Sequence, residues 1–298
     1  MRWRCSMHDM NWVVAVHGGA KEIAPEEADA HREGCRRAAQ AAATVLRAGG
    51  PALQAVQAAV RSLEDDPTFN AGHGAVTTVA GSVEMDAAIM DGESLGVGAV
   101  AAVRRLRNPI DAASLVLKAD PVLLVSDGAE EFAARQGVQL VPAEEFEAAA
   151  GEAMRDTVGA VAIDRHGHLA AAASTGGLDG QLRGRVGDTV MPGAGFYADD
   201  RLGATAVSGD GEAIARAGLA SHVLSGLEFW SAGPATANAL ARLGRVGGEA
   251  GLITVDRLGR IGIAHSSRNF ALALAGSAID GVPAGITRDE LKDWIDDG

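Results

Sequence analysis

Aromatic residues are scarce in this chain of 298 residues: six Phe, four Trp and one Tyr make up 4% of it. Its core must therefore be closed by small aliphatic side chains rather than by rings. Cysteine is scarcer still. Cys5 and Cys35 stand alone, with no CxxC; two thiols build no disulfide framework, which predicts a reducing, cytoplasmic setting. Long apolar runs are missing. The apolar run in "MRWRCSMHDMNWVVAVHGGA" is the five residues WVVAV, short for a signal-peptide core and far from the ~18 of a membrane span. Positive charge is also in deficit: 26 Lys and Arg against 39 Asp and Glu leave a net −13. Phosphate backbones are repelled by such a surface, so no nucleic-acid partner and no membrane partner is expected.

Two kinds of motif are absent as well. Eight histidines are present, but none has HExxH or another metal-ligand spacing. His166 and His168 fall in a polar turn, and His17 in a glycine loop. "GQLRGRVGDTVMPGAG" lacks a GxGxxG set between a strand and a helix, so no dinucleotide or other organic cofactor is expected.

What the chain has is glycine, 39 residues, and a 47% share of apolar residues dominated by small side chains. "WVVAVHGG" reads as a strand. Two helices follow, one after Pro25 and stopped by Gly49-Gly50, the next opened by Pro51 and running to about Leu63. A turn-rich loop covers "DDPTFNAGHGAVT". "SVEMDAAIMDG" and "LGVGAVAAV" form a hairpin, Asn108-Pro109 starts a helix, and "PVLLVSDGAEEFAARQG" gives strand, turn and helix. Pro142–Arg155 is a helical or mobile connector. Two further strand pairs follow, at "TVGAVAID…HLAAAAST" and "LITVDRLGRIGIAH", with "GATAVS" and one long helix, "GDGEAIARAGLASHVLSGL", between them. Helices come in pairs and strands in hairpins, so antiparallel sheets covered by helices fit better than a doubly wound parallel sheet. Two such sheets stacked face to face would bury the Ala, Val and Gly.

The chemistry centres on Thr157. A threonine at the head of a strand is ordinary. A threonine hydroxyl becomes a nucleophile only beside a base, and one solution makes the residue an N-terminus whose own α-amine, pKa roughly 7.7–8.0, accepts the proton. Here that requires cutting Asp156–Thr157, by attack of the hydroxyl on the preceding carbonyl and hydrolysis of the resulting ester.

The run "DTVGAVAID…GHLAAAASTGG…GRVGDTVMPGAGFYAD", with "AVHGGA", "FNAGHGAV", "EMDAAIMDG", "RNPIDAASLVL" and "SGDGEAIARA" in the same order, resembles the plant-type asparaginase/isoaspartyl peptidase family of N-terminal-nucleophile hydrolases. The resemblance covers about residues 12 to 265. It implies a four-layer αββα sandwich of two antiparallel sheets flanked by helices, in a single domain over residues 1–298 that cuts itself into 1–156 and 157–298. It also implies a homodimer of the resulting αβ units and a small-molecule amide or β-aspartyl peptide as substrate.

The same resemblance assigns roles. Thr157 is the nucleophile and Thr175, in "STGG", the second threonine whose hydroxyl orients it. Arg185 grips the substrate's α-carboxylate and Asp188 its α-ammonium; a guanidinium suits the first because it pairs bidentately with a carboxylate. Ser208 and Gly209 form the oxyanion hole, Gly211 lines the α-group pocket, and Asn70 helps position the nucleophile. The carbonyls of Leu63, Glu64, Asp66, Phe69, Ala71 and His73 would wrap a structural sodium ion.

The chain departs from the pattern in places. Asp156 stands where glycine is common, as in the related glycosylasparaginases; Lys21 replaces a further glycine in "HGGAKE", and the connector before Thr157 is short. "HSSRNFALALAGSAIDGVPAGITRDELKDWIDDG" matches poorly. Three readings follow: an amidohydrolase for L-asparagine and β-aspartyl dipeptides, a glycosylasparaginase-like amidase, or an uncleaved, catalytically silent member that serves as a binding or scaffold protein.

Overall fold

A computed structural model describes residues 11–149 and 157–296. The chain opens with strand β1 (Val13–Lys21), helices α1 (Ala28–Arg47) and α2 (Ala52–Glu64), and the hairpin β2 (Met85–Asp91) and β3 (Val97–Val103). Then come α3 (Pro109–Val116), β4 (Leu123–Val125), α4 (Ser126–Arg135) and α5 (Glu144–Ala149). After the connector lie β5 (Val158–Ile163), β6 (Leu169–Thr175), β7 (Phe196–Asp199), β8 (Gly203–Gly209), α6 (Gly211–Ala217), α7 (Leu219–Leu227) and α8 (Ala232–Ala241). The described chain closes with β9 (Ala250–Asp256), β10 (Ile261–His265), β11 (Asn269–Gly276) and β12 (Ala284–Gly285).

The strands form an eight-stranded sheet in the order β12-β11-β1-β5-β6-β2-β3-β4 and a four-stranded sheet in the order β10-β9-β8-β7. Period-two alternation sends side chains of the large sheet into two different cores. Val14, Val16, Val158, Ala160, Ala162, Ala170 and Ala172 meet the apolar faces of α1, α2 and α3. Val13, Ala15, Val161, Ile163, Leu169 and Ala171 face the other way, onto Ala204, Ala206, Ile253 and Val255 of the small sheet. The reverse face of the small sheet, with Val207, Ala250 and Leu252, is covered by α6, α7 and α8. The result is a mixed α/β fold of two sheets flanked by helices. Strands buried on both faces explain why β5 and β6 read as continuous apolar runs.

Several expectations from sequence are corrected. The large sheet is not wholly antiparallel: β3 and β4 pair in parallel, because α3 carries the chain across between them. The His17 ring is not in a glycine loop but in the middle of β1, paired with Gly159 of β5. The single helix expected after "GATAVS" is two, α6 and α7, broken at Gly218, whose φ of 62° is left-handed. Directly after the Gly-rich stretch comes β7, four residues long, which the sequence does not announce. The segment after β10 supplies β11, which pairs with β1 inside the large sheet. Of the connector, residues 144–149 are helical; Arg155 and Asp156 lie outside the described residues, as does Cys5. Among the described residues no helix is long and apolar enough to cross a membrane.

Candidate active site

β5 and β6 pair with Val158 opposite Ser174, which sets Thr157 and Thr175 side by side at one end of the sheet. Both are buried, at 7% and 4% exposure. They line a narrow cleft with Gly177, Leu178, Arg185, Asp188, Thr189, Gly209 and Gly211. Sequence thus brings together the nucleophile candidate, the second threonine, both α-group anchors and two glycines of the set predicted.

The Thr157 backbone N–H donates to Ser208 Oγ at 3.3 Å, and the Ala20 N–H reaches the same oxygen at 3.2 Å. Ser208 is fully buried and its oxygen accepts both bonds, so its own O–H remains to donate. Gly209 follows at the end of β8 with φ 140°, and a Cβ there would sit 2.2 Å from the Glu249 carbonyl oxygen. Glycine is therefore required at 209 for the backbone to turn past β9.

The hydroxyl next to Thr157 Oγ1 is that of Thr189, 3.5 Å away and 1% exposed. Thr175 Oγ1 instead accepts the Gly177 N–H at 3.0 Å, so its hydroxyl both shapes the turn after β6 and borders the cleft. Sequence reasoning missed Thr189, although it stands directly after Asp188 in the motif. Among the described residues Asn70 makes no hydrogen bond to Thr157. Its Nδ2 donates to the Gly177 carbonyl at 2.7 Å, its Oδ1 accepts the Val76 N–H at 3.1 Å, and its carbonyl accepts the Gly176 N–H at 2.8 Å. It pins the turn that carries Thr175.

Arg185 and Asp188 also line the cleft. Arg185 Nε and Nη2 donate to the two carboxylate oxygens of Glu212 at 2.9 and 3.0 Å. Asp188 is 3% exposed, and its Oδ2 has no hydrogen-bond partner among the described residues. Burial pushes its pKa up to about 7 against the opposing pull of its own backbone N–H and of Arg185; Glu212 and Asp86 add to the rise. An acid half-ionised near neutrality, with one oxygen unpaired, suits an arriving ammonium group. Asp86 lies opposite Thr175 on β2 and accepts the Ala102 N–H at 2.8 Å; burial raises it to about 7 as well. His17 is fully buried and burial lowers it to about 3, so its ring is neutral.

Glu64 ends α2 behind the site. Its Oε1 accepts from Ser174 Oγ at 2.7 Å and from the Ile110 N–H at 3.0 Å, and burial raises it to about 8. It ties α2 and α3 to the residue preceding Thr175. A wider open groove over α1 and α2 lies apart from the cleft. Its arginines, Arg37 and Arg61, are engaged by Asp66 and Asp111 at 2.5 and 3.0 Å.

A family model described as asparaginase matches residues 10–151 and 143–282. The chain belongs to this asparaginase family. The match runs past β10 through β11, so the similarity extends further than the expected limit near residue 265. Relatives of the asparaginase family agree. An isoaspartyl peptidase/L-asparaginase of Xenopus laevis is 43% identical over 84% of this chain and 87% of its own length. One of Bos taurus is 40% identical over 93% and 98%. An isoaspartyl peptidase of Salmonella typhimurium is 38% identical over 93% and 99%.

Proposed function

We propose that this asparaginase-family chain is an amidohydrolase for L-asparagine and β-aspartyl (isoaspartyl) dipeptides, activated by its own cleavage between Asp156 and Thr157. The observation that carries the reading is one cleft lined by a buried threonine, an arginine and an aspartate one of whose carboxylate oxygens has no hydrogen-bond partner among the described residues. The names of its relatives supply the substrate class. The fold is read as the four-layer αββα sandwich of the N-terminal-nucleophile hydrolases, one domain that becomes an α chain, 1–156, and a β chain, 157–298. Two such αβ units would form the dimer.

In the activating step Thr157 Oγ adds to the carbonyl carbon of residue 156, the C–N bond breaks, and the acyl group moves from nitrogen to oxygen. Water then hydrolyses the ester and leaves Thr157 with a free α-amine. In turnover that amine takes the hydroxyl proton as Thr157 Oγ attacks the substrate's side-chain carbonyl. The oxyanion receives the Gly209 N–H and the Ser208 O–H, donors of the kind whose loss typically costs about 10²–10³ in rate. Collapse expels the amine or ammonia, which takes the proton from the α-amine. Water repeats the sequence on the β-aspartyl ester and releases aspartate. Arg185 and Asp188 fix the aspartyl α-groups, so that the side-chain carbonyl points to Thr157, with Gly211 leaving room for them.

A structural cation suits the loop after α2. Carbonyls of Leu63, Glu64, Asp66, Phe69, Ala71 and His73 are hard oxygen donors of the type sodium takes, and the first two close the C-terminal end of a helix, where the dipole is negative. Gly72, with φ 55°, lets the loop fold back: a Cβ there would lie 2.5 Å from the Glu64 carbonyl oxygen.

Intact-mass measurement of wild type and Thr157→Ala, followed by ammonia or amino-acid release assays, tests the reading. The wild type should split into the two predicted chains and hydrolyse β-aspartyl dipeptides, while the variant stays whole and inactive. A wild type that stays whole after long incubation overturns it.

A further inference from the structure

Arg185 carries a second carboxylate that the reaction does not use. Its guanidinium has five N–H groups in a fixed plane. Nε–H and one N–H of Nη2 go to Glu212 in a two-point pairing at 2.9 and 3.0 Å, and Nη1 reaches Gln181 Oε1 at 3.4 Å. That leaves one N–H on each of Nη1 and Nη2, the two nitrogens of the guanidinium's outer edge. The edge lies against glycines. A Cβ at Gly187 would sit 2.9 Å from Nη1 and 3.0 Å from Nη2, and one at Gly211, a cleft residue, 2.8 Å from Nη2. The Glu212 side chain is 63% exposed and that of Arg185 16%. An ion pair with so exposed a partner adds little to stability, so its effect is to be sought in geometry.

We propose that Glu212, at the start of α6, is a positioning residue for substrate binding: with Gln181 it fixes the plane of Arg185 so that the Nη1–Nη2 edge faces the α-carboxylate. The inference rests on the proposed role of Arg185. The two braces come from separate segments, Gln181 from the Gly-rich stretch after β6 and Glu212 from the helix after the oxyanion segment. Glu212 takes the Nε–Nη2 edge and Gln181 one N–H of Nη1, which leaves an N–H on each of Nη1 and Nη2 for the ligand. A long, flexible side chain is thereby held before substrate arrives, and the ordering cost is not met at binding. Gln181 is itself fixed, because its Oε1 also accepts the Leu178 N–H at 3.0 Å. Glu212 is no competitor for the substrate in this arrangement, because its oxygens occupy the Nε–Nη2 edge.

The test compares wild type, Glu212→Ala, Glu212→Gln, Arg185→Ala and the double variant Glu212→Ala/Arg185→Ala, each cleaved chain assayed with a β-aspartyl dipeptide. Self-cleavage, which involves no α-carboxylate, should proceed in Glu212→Ala as in wild type and reports that the variant folds. KM should rise about tenfold in Glu212→Ala with kcat within about twofold. It should rise less in Glu212→Gln, whose amide oxygen keeps one of the two bonds. In the Arg185→Ala background, loss of Glu212 should add nothing. An unchanged KM overturns the proposal, and a lowered KM makes Glu212 a competitor for the substrate's place. An additive effect in the double variant shows that Glu212 acts other than through Arg185. If wild type cleaves itself but hydrolyses no β-aspartyl substrate, the proposed function itself fails, separately from the brace.

Discussion

The pH dependence of turnover puts the site to its sharpest test, because in the proposed mechanism two groups must lose a proton and they respond differently to substrate. The free α-amine of Thr157, with an ordinary pKa of roughly 7.7–8.0, must be neutral to act as base. Asp188, raised to about 7 by burial, must be ionised to receive the substrate's ammonium. Both requirements make kcat/KM fall as pH falls. From pH 8 to pH 6 the neutral amine drops about 40-fold for a pKa of about 7.8. Over the same interval ionised Asp188 drops about tenfold. The product is a fall of about 400-fold, and log(kcat/KM) approaches a slope of two on the acid side. In the enzyme–substrate complex the bound ammonium holds Asp188 ionised, so kcat should follow the amine alone, with slope one.

Asp188→Asn removes one titration without removing volume. Its kcat/KM should be low at every pH and fall with slope one. Asp86 is raised to about 7 as well, but its charge enters none of the proposed steps, so it adds no slope of its own to either profile. Initial rates with a β-aspartyl dipeptide from pH 5.5 to 9, at saturating and at limiting substrate, give both profiles. A wild-type kcat/KM limb of slope one, superimposable on that of Asp188→Asn, would refute the reasoning.

Two further outcomes follow from the surroundings of the nucleophile. Thr189→Val removes the hydroxyl beside Thr157 Oγ1 and should slow both self-cleavage and turnover by about 2- to 10-fold, the range of one neutral hydrogen bond; Thr189→Ser should restore both, and timed mass spectra with steady-state rates read the result. Glu64 has a folded-state pKa raised from 4.5 to about 8, so the stability it contributes is present in full below 4.5 and is lost as pH rises to about 8. The melting temperature of Glu64→Gln should therefore fall less than that of wild type between pH 5 and 8, and an identical slope in a thermal scan would count against a neutral buried Glu64.

How far the sequence could be read depends on which forces placed each residue. β1, β5 and β6 were legible because both faces are buried, and β-branched and small residues run without interruption. α1 and α2 were legible through Pro25, Pro51 and apolar spacing. β7 was not: its four residues, Phe196 to Asp199, are too few to show alternation, and they become a strand by pairing with β8. β4 was visible as an apolar stretch, but its direction was not, since the crossover by α3 decides it. The tail, which matches the family pattern poorly in sequence, holds β11, and that strand takes its place from β1, more than two hundred residues earlier in the chain.

The site divides in the same way. The residues proposed to meet the substrate sit in short motifs, because a turn must bring them to the cleft together: "STGG" holds Thr175, and "GRVGD" holds Arg185 and Asp188 three positions apart. The residues that prepare those groups are reached across the fold, and no spacing announces them. Glu212 comes to Arg185 from 27 positions away, Asn70 to Gly177 from 107, and Glu64 to Ser174 from 110. A buried carboxylic acid such as Glu64 or Asp188 looks, in sequence, like any surface acid; only the absence of water around it makes its proton stay to near-neutral pH. The motifs therefore name the residues that line the cleft, while their geometry and protonation are set by contacts distant in sequence. Substitutions at Glu212 and Glu64 separate these two layers, because neither side chain lines the cleft.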